Sequence, residues 1–173
     1  MGPMGHLLVG RDKKDSTADR DQLFNDLKER QIQAEKGEAM PICIFPEGAT
    51  SNGTTILKFK RGAFVSERSV KPHYAKYWTM NEGVSPCHGD AVSFVAHTYI
   101  TLHAFFTRYT VYEMPVFEPN EYFWKNHWDG KEERWVAFAR AVRNCMLLKS
   151  GLKDTEATME DRVRYKFLVR GKK

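Results

Sequence analysis

The run Phe45-Pro46-Glu47-Gly48-Ala49-Thr50-Ser51-Asn52-Gly53, with Leu57-Lys58-Phe59-Lys60-Arg61-Gly62-Ala63-Phe64 close behind it, decides how the chain is read. Directly before it stands Pro41-Ile42-Cys43-Ile44-Phe45, a short, wholly apolar run that reads as a buried strand. Residues 46–55 then hold a proline, two glycines and several small polar residues, which marks a loop. Ligand-binding loops of α/β sheets lie at the carboxyl ends of strands. Gly48 and Gly53 let backbone N–H groups come close to a ligand, and Thr50, Ser51 and Asn52 add side-chain donors, so the loop suits a phosphate. Glu47 cannot hold a phosphate directly, because two anions repel; its fitting tasks are to hold a hydroxyl or to position an arginine. A plain polar turn with a glutamate at the strand end is the bland reading of the same residues.

Working outward, residues 5–10 read as a strand and 19–36 as a helix, with Leu23, Phe24 and Leu27 as a narrow apolar stripe, Asp15 or Ser16 as its cap and Gly37 as its stop. Strand, helix, strand in this order implies an α/β fold, a mixed β-sheet flanked by helices. Residues 58–65 read as a short element, and Val70-Lys71-Pro72 as an extended segment ending at proline. Residues 79–90 read as loop, 91–106 as an amphipathic helix that is either buried or interfacial, and 109–117 as a strand. The clearest helix is 131–148, with Trp135, Phe138, Ala139, Val142 and Met146 on one face. Asp154 or Thr155 caps a last basic helix.

At 173 residues with 42% hydrophobic content, the chain fits one domain with a core. The net charge of +5 favours anionic partners such as phosphates or an acidic lipid surface. No RNP, zinc-finger or helix-turn-helix signal supports nucleic acid. Cys43, Cys87 and Cys145 have no metal-ligand or disulfide spacing, so free thiols in a reducing compartment are expected, and no metal. No apolar run reaches the ~18 residues that span a bilayer.

The combination Phe-Pro-Glu-Gly followed by Phe-Lys-x-Gly-Ala-Phe resembles the third motif of the PlsC-type glycerolipid acyltransferases. Gly5-His6-Leu7-Leu8-Val9-Gly10-Arg11 resembles their second motif and Ser69-Val70-Lys71-Pro72 their fourth, in matching order. The resemblance spans residues 5–72; residues 73–173 fit in pattern without motifs, and the whole is expected to be one acyltransferase-like domain. It leans toward the lysophosphatidylcholine branch through Ser51-Asn52-Gly53. It implies transfer of a fatty acyl group from acyl-CoA, as substrate and with no cofactor, to the hydroxyl of a lysophospholipid or glycerol phosphate. It also implies a phosphate site at Arg11, Glu47 and Gly48, bordered by Thr50, Ser51, Asn52 and Gly53, and an acyl pocket wall at Pro72. The implied location is the cytosolic face of a membrane, the endoplasmic reticulum. Lys58, Lys60 and Arg61 face lipid headgroups or CoA phosphates, or else form an ordinary solvated basic face.

Two departures stand out. Ala49 replaces a threonine usual in the family. The family's first motif, His-x-x-x-x-Asp, supplies the base that deprotonates the attacking hydroxyl. Here the residues five after each histidine are Arg11, Trp78, Ser93, Leu102, Arg108 and Glu132, and none is Asp. His127 with Glu132 copies the spacing far downstream. A fold truncated at its N-terminus, starting at an internal methionine, is the expectation; a catalytically dead lipid- or acyl-CoA-binding module is the alternative, and a ligand-free interaction domain a third reading.

Overall fold

A computed structural model describes residues 17–48, 53–80, 93–103, 106–169 and 171. The expected strand at 5–10 and caps Asp15 and Ser16 lie outside these residues, as do Arg11, Thr50, Ser51, Asn52 and Cys87. In chain order the elements are α1 (Thr17–Glu35), β1 (Thr55–Ile56), a 3-10 turn (Arg61–Ala63), β2 (His73–Thr79), α2 (Phe94–Leu102), β3 (Thr107–Glu113), α3 (Glu121–His127), α4 (Arg134–Ser150), β4 (Lys153–Asp154) and α5 (Met159–Val169). The chain is mixed α/β, and its described strands pair two by two rather than in one sheet: β1 with β4 in parallel, β2 with β3 antiparallel.

The chain divides into two compact units. The first takes residues 1–46, 61–69 and 118–138. Its core is aromatic: Phe138 meets Phe64 edge-on at 5.2 Å between centroids, and Phe123 and Trp124 at 6.3 and 6.4 Å. Edge-to-face packing suits the ring quadrupoles. Arg134 lies over the rings of Trp124 and Trp128, at 5.3 and 4.8 Å, while its Nη1 reaches Glu67 Oε2 at 3.3 Å. Helix α1 stops as its sequence dictates. Gly37 adopts φ +78°, its N–H donates to Ala34 O, and the Glu38 N–H donates back to Gln33 O, a Schellman closure.

The same unit corrects one expectation. Pro41–Phe45 has no strand partner among the described residues, and Phe45 is 82% exposed with Cys43 exposed beside it. An apolar run signals burial, but a strand also needs a neighbouring ladder for its backbone groups.

The second unit takes residues 47–60, 70–117 and 139–173. Its core gathers Ile56, Leu57, Phe59 and Tyr74 with Ala139, Val142 and Met146 of α4. β2 and β3 form a seven-pair ribbon from His73↔Glu113 to Thr79↔Thr107, with Tyr74 stacked on Tyr112 at 4.8 Å. The strand expected at 109–117 thus begins at Thr107 and ends at Glu113; beyond it the Met114 N–H donates to Pro72 O, and Val70 and Phe117 exchange backbone bonds. The last helix is capped by neither Asp154, which lies in β4, nor Thr155. Thr158 and Asp161 close a capping box: the Asp161 carboxylate accepts from the Thr158 N–H at 2.9 Å, and the Thr158 hydroxyl accepts from the Asp161 N–H at 3.3 Å.

Candidate functional site

Within the second unit the loop beginning at Glu47 is built around two clasps. The first is Glu47 itself, whose Oε2 accepts from the Leu57 N–H, ten residues on, at 2.9 Å. The carboxylate is half-buried. Burial pushes its pKa above the ordinary carboxyl range, while the Leu57 N–H and the charges of Arg143 and Arg162 pull the other way. Through Oε2, Glu47 thus acts on the loop's own backbone.

The second clasp is Arg143 of α4, which is buried. Its Nε donates to Leu57 O at 3.1 Å, and its Nη2 donates to Ile56 O at 2.8 Å and Thr155 O at 2.6 Å, with Asp154 Oδ1 also in contact. One planar guanidinium thereby holds the residues around β1 and β4 together. The planar fork suits this, since its donors point outward from several nitrogens, whereas an ammonium's three donors radiate from a single atom.

Between the clasps, Gly48 adopts φ +71°, a conformation that side chains disfavour, and a Cβ there would meet Lys60 Cδ and Cε at 3.2 Å and Met159 Sδ at 3.3 Å. The turn is thus packed directly beneath Lys60 and the first residue of α5. There an open groove of about 560 Å³ is lined by Lys60, Met159, Glu160, Val163, Phe167 and their neighbours. No residue of α5 is buried, so its apolar side chains form an accessible floor beside the loop.

Of the site residues expected from sequence, the structure places Glu47, Gly48 and Gly53 on this loop, Gly53 exposed at φ +79°. Pro72 is buried immediately before β2, its carbonyl accepting from the Met114 N–H at 3.0 Å. The basic trio is engaged by carboxylates: Lys58 by Glu156, Lys60 by Glu160 at 3.1 Å, and Arg61 by Glu133 at 4.0 Å, with Arg61 also 5.0 Å from the Phe24 ring. His127 is exposed at the end of α3, its ring 5.6 Å from that of Phe123. Cys43 and Cys145 are free thiols. Among the described residues no group of three potential metal ligands converges, and no helix is long and apolar enough to cross a membrane.

No family model matches the chain, and no solved structure matches it. Curated relatives do. The chain is 31% identical to human lysophosphatidylcholine acyltransferase 2 over 155 residues, covering 90% of this chain and 26% of that protein. It is 27% identical to the Arabidopsis thaliana lysophospholipid acyltransferase LPEAT1 over 169 residues, covering 97% of this chain and 39% of that protein. It is 28% identical to human lysophosphatidylcholine acyltransferase 1 over 149 residues, 84% of this chain and 26% of the relative. The chain therefore spans between a quarter and two fifths of the length of these relatives, and the matched part includes most of its own residues. By this kinship, the chain belongs to the glycerolipid acyltransferase family.

Proposed function

We propose that the chain is part of an acyl-CoA-dependent lysophospholipid acyltransferase domain, serving phospholipid synthesis or remodelling at the cytosolic face of the endoplasmic reticulum. The observation that carries this reading is the kinship with lysophospholipid acyltransferases across nine tenths of the chain. In the reaction, the acceptor hydroxyl oxygen attacks the thioester carbonyl, the C–S bond breaks, CoA leaves as its thiol, and the hydroxyl proton goes to a base. This chain's share is acceptor binding. The Arg11 guanidinium makes bidentate bonds to the acceptor phosphate, and the loop from Gly48 to Gly53, including Thr50, Ser51 and Asn52, offers donors around it. Glu47 and Arg143 hold that loop in shape. The apolar groove beside Gly48 takes an acyl chain, a size and lining that suit a lipid tail; Pro72 walls the acyl pocket. The larger fold that this implies is a mixed sheet flanked by helices, as one acyltransferase-like domain.

The sequence carries no His-x-x-x-x-Asp, and on that ground the chain as given binds without turning over. Loss of a general base typically slows a reaction ~100- to 10,000-fold. The second reading, a catalytically dead lipid- or acyl-CoA-binding module, is favoured by the same missing His-x-x-x-x-Asp. Equilibrium binding of lysophosphatidate, lysophosphatidylcholine and acyl-CoA, paired with an acyl-transfer assay, tests both. The expected result is lysophospholipid binding weakened by Arg11→Ala, with no transfer. Lysophospholipid binding that Arg11→Ala leaves untouched defeats the phosphate site, and robust transfer surviving His127→Ala defeats the assignment of inactivity.

A further inference from the structure

Helix α2 turns an apolar stripe to the surface. Val95 (76%), Tyr99 (63%) and Leu102 (79%) are exposed and recur at i, i+4 and i+7, and so form one apolar stripe at the surface. The better-covered positions include His97 and Thr101, whose hydroxyl donates to His97 O at 2.8 Å. His97 Nε2 is buried without a hydrogen-bond partner. A helix facing water would turn these the other way.

The ribbon that carries α2 continues the pattern. Four residues after Leu102 comes Phe106, within about 14 Å of chain reach. Its ring lies 6.2 Å from that of Trp78, and Trp78, Phe106 and Met80 are all largely exposed. These residues sit at the Thr79↔Thr107 end of the ribbon, with Arg108 as the register partner of Trp78. The carboxylate of Glu113, paired with Lys71, is at the opposite end, roughly 20 Å away along the strand. Among the described residues from His73 to Tyr112, the charges are Lys76 and Arg108, both positive.

We infer that α2 and the Trp78–Phe106 end of the ribbon dip into the interfacial layer of a lipid membrane and form the seat of membrane attachment. Three features single out lipid over protein. The patch mixes aliphatic side chains with Trp and Tyr, rings that favour the headgroup boundary. It has no negative charge among its described residues to repel anionic lipid. The stripe lies on an uncharged helix, suited to lie flat in that layer. This also replaces the basic trio as the attachment site, since Lys58, Lys60 and Arg61 are already matched by carboxylates. The inference deepens the proposal that the chain works on membrane lipids, and rests on it.

The test is co-sedimentation of the full chain with phosphatidylcholine vesicles containing phosphatidylserine, with brominated lipid as a quencher of tryptophan. Binding should survive ~0.5 M salt, where surface charge is largely screened. The triple change Val95→Asp, Tyr99→Asp, Leu102→Asp should cut vesicle partitioning roughly tenfold or more, because carboxylates resist entry into the apolar layer. Circular dichroism checks that the triple variant stays folded. Leu148→Asp, at an 88% exposed position on α4, should leave partitioning unchanged. Trp78→Phe should keep binding and remove most of the bromine quenching. Undiminished partitioning of the folded triple variant overturns the inference. So does a wild-type chain that ignores vesicles and self-associates through the stripe, becoming monomeric in the triple variant. Monomeric lysophospholipid binding separates the two proposals: if it persists without vesicle binding, only this inference fails. Vesicle binding without lysophospholipid binding leaves it standing and sinks the acceptor site.

Discussion

Replacing Arg143 by alanine removes the guanidinium that three carbonyls share. Hydrogen bonds to a charged group each contribute about 1.5–3 kcal/mol, so three bonds of this kind sum to roughly 5–9 kcal/mol. That sum is too large for the net effect. Thr155 is half-exposed and Asp154 exposed, so both rehydrate in the variant, whereas Ile56 and Leu57 are buried and their carbonyls do not easily find water. The expected loss is about 2–6 kcal/mol, from two buried carbonyls left without a donor at about 1–3 kcal/mol each. Against a typical total of ~5–15 kcal/mol, this brings the chain near its folding limit. Arg143→Lys keeps a charge beside Asp154 but cannot fork to three carbonyls, and is expected to cost about 1–2 kcal/mol. Urea unfolding followed by circular dichroism measures both. An alanine variant within about 1 kcal/mol of wild type would refute the clamp, because two buried carbonyls left without a donor should cost more than that.

Glu47→Gln keeps an acceptor for the Leu57 N–H and removes a half-buried charge. Since the folded carboxyl is raised, wild-type stability from this group is full at low pH and lost as pH rises through the raised value. The variant should match or exceed wild type at pH ~8, within about 1 kcal/mol, and lack that slope in a pH series of melts. Gly48→Ala should destabilise by about 1–2 kcal/mol, from the positive φ and the approach to Lys60 and Met159; an unchanged Tm would show that the turn relaxes freely. Thr158→Ala should cost about 1 kcal/mol by opening the α5 capping box, measured by urea midpoint.

The helices were legible because the 3.6-residue period is a long, redundant signal. Regions 19–36, 91–106 and 131–148 emerge as Thr17–Glu35, Phe94–Leu102 and Arg134–Ser150. Helix α3 was missed because seven residues are too few for a period, although Asn120, whose side chain accepts from the Phe123 N–H, is a readable cap. The loop at 46–55 was visible from its glycines; the work of its glutamate was not, since Leu57 gives no sign of needing a partner. Arg143 goes unmarked in the sequence reading. Its signal was positional: the stripe through Ala139, Val142 and Met146 takes in residue 143, so an arginine there must find acceptors or stay unpaired.

The clamp on the loop also imposes an order in time. Arg143 stands 86 residues beyond Leu57, and β1 pairs with Lys153 and Asp154, further on still. At synthesis rates of ~5–20 residues per second, the loop leaves the ribosome roughly 4–17 s before its arginine does. Throughout that interval Ile56, Leu57 and Phe59 have no α4 to cover them, which makes this short stretch a natural holding point for a chaperone. Pairings between such distant positions also close late and slowly on refolding.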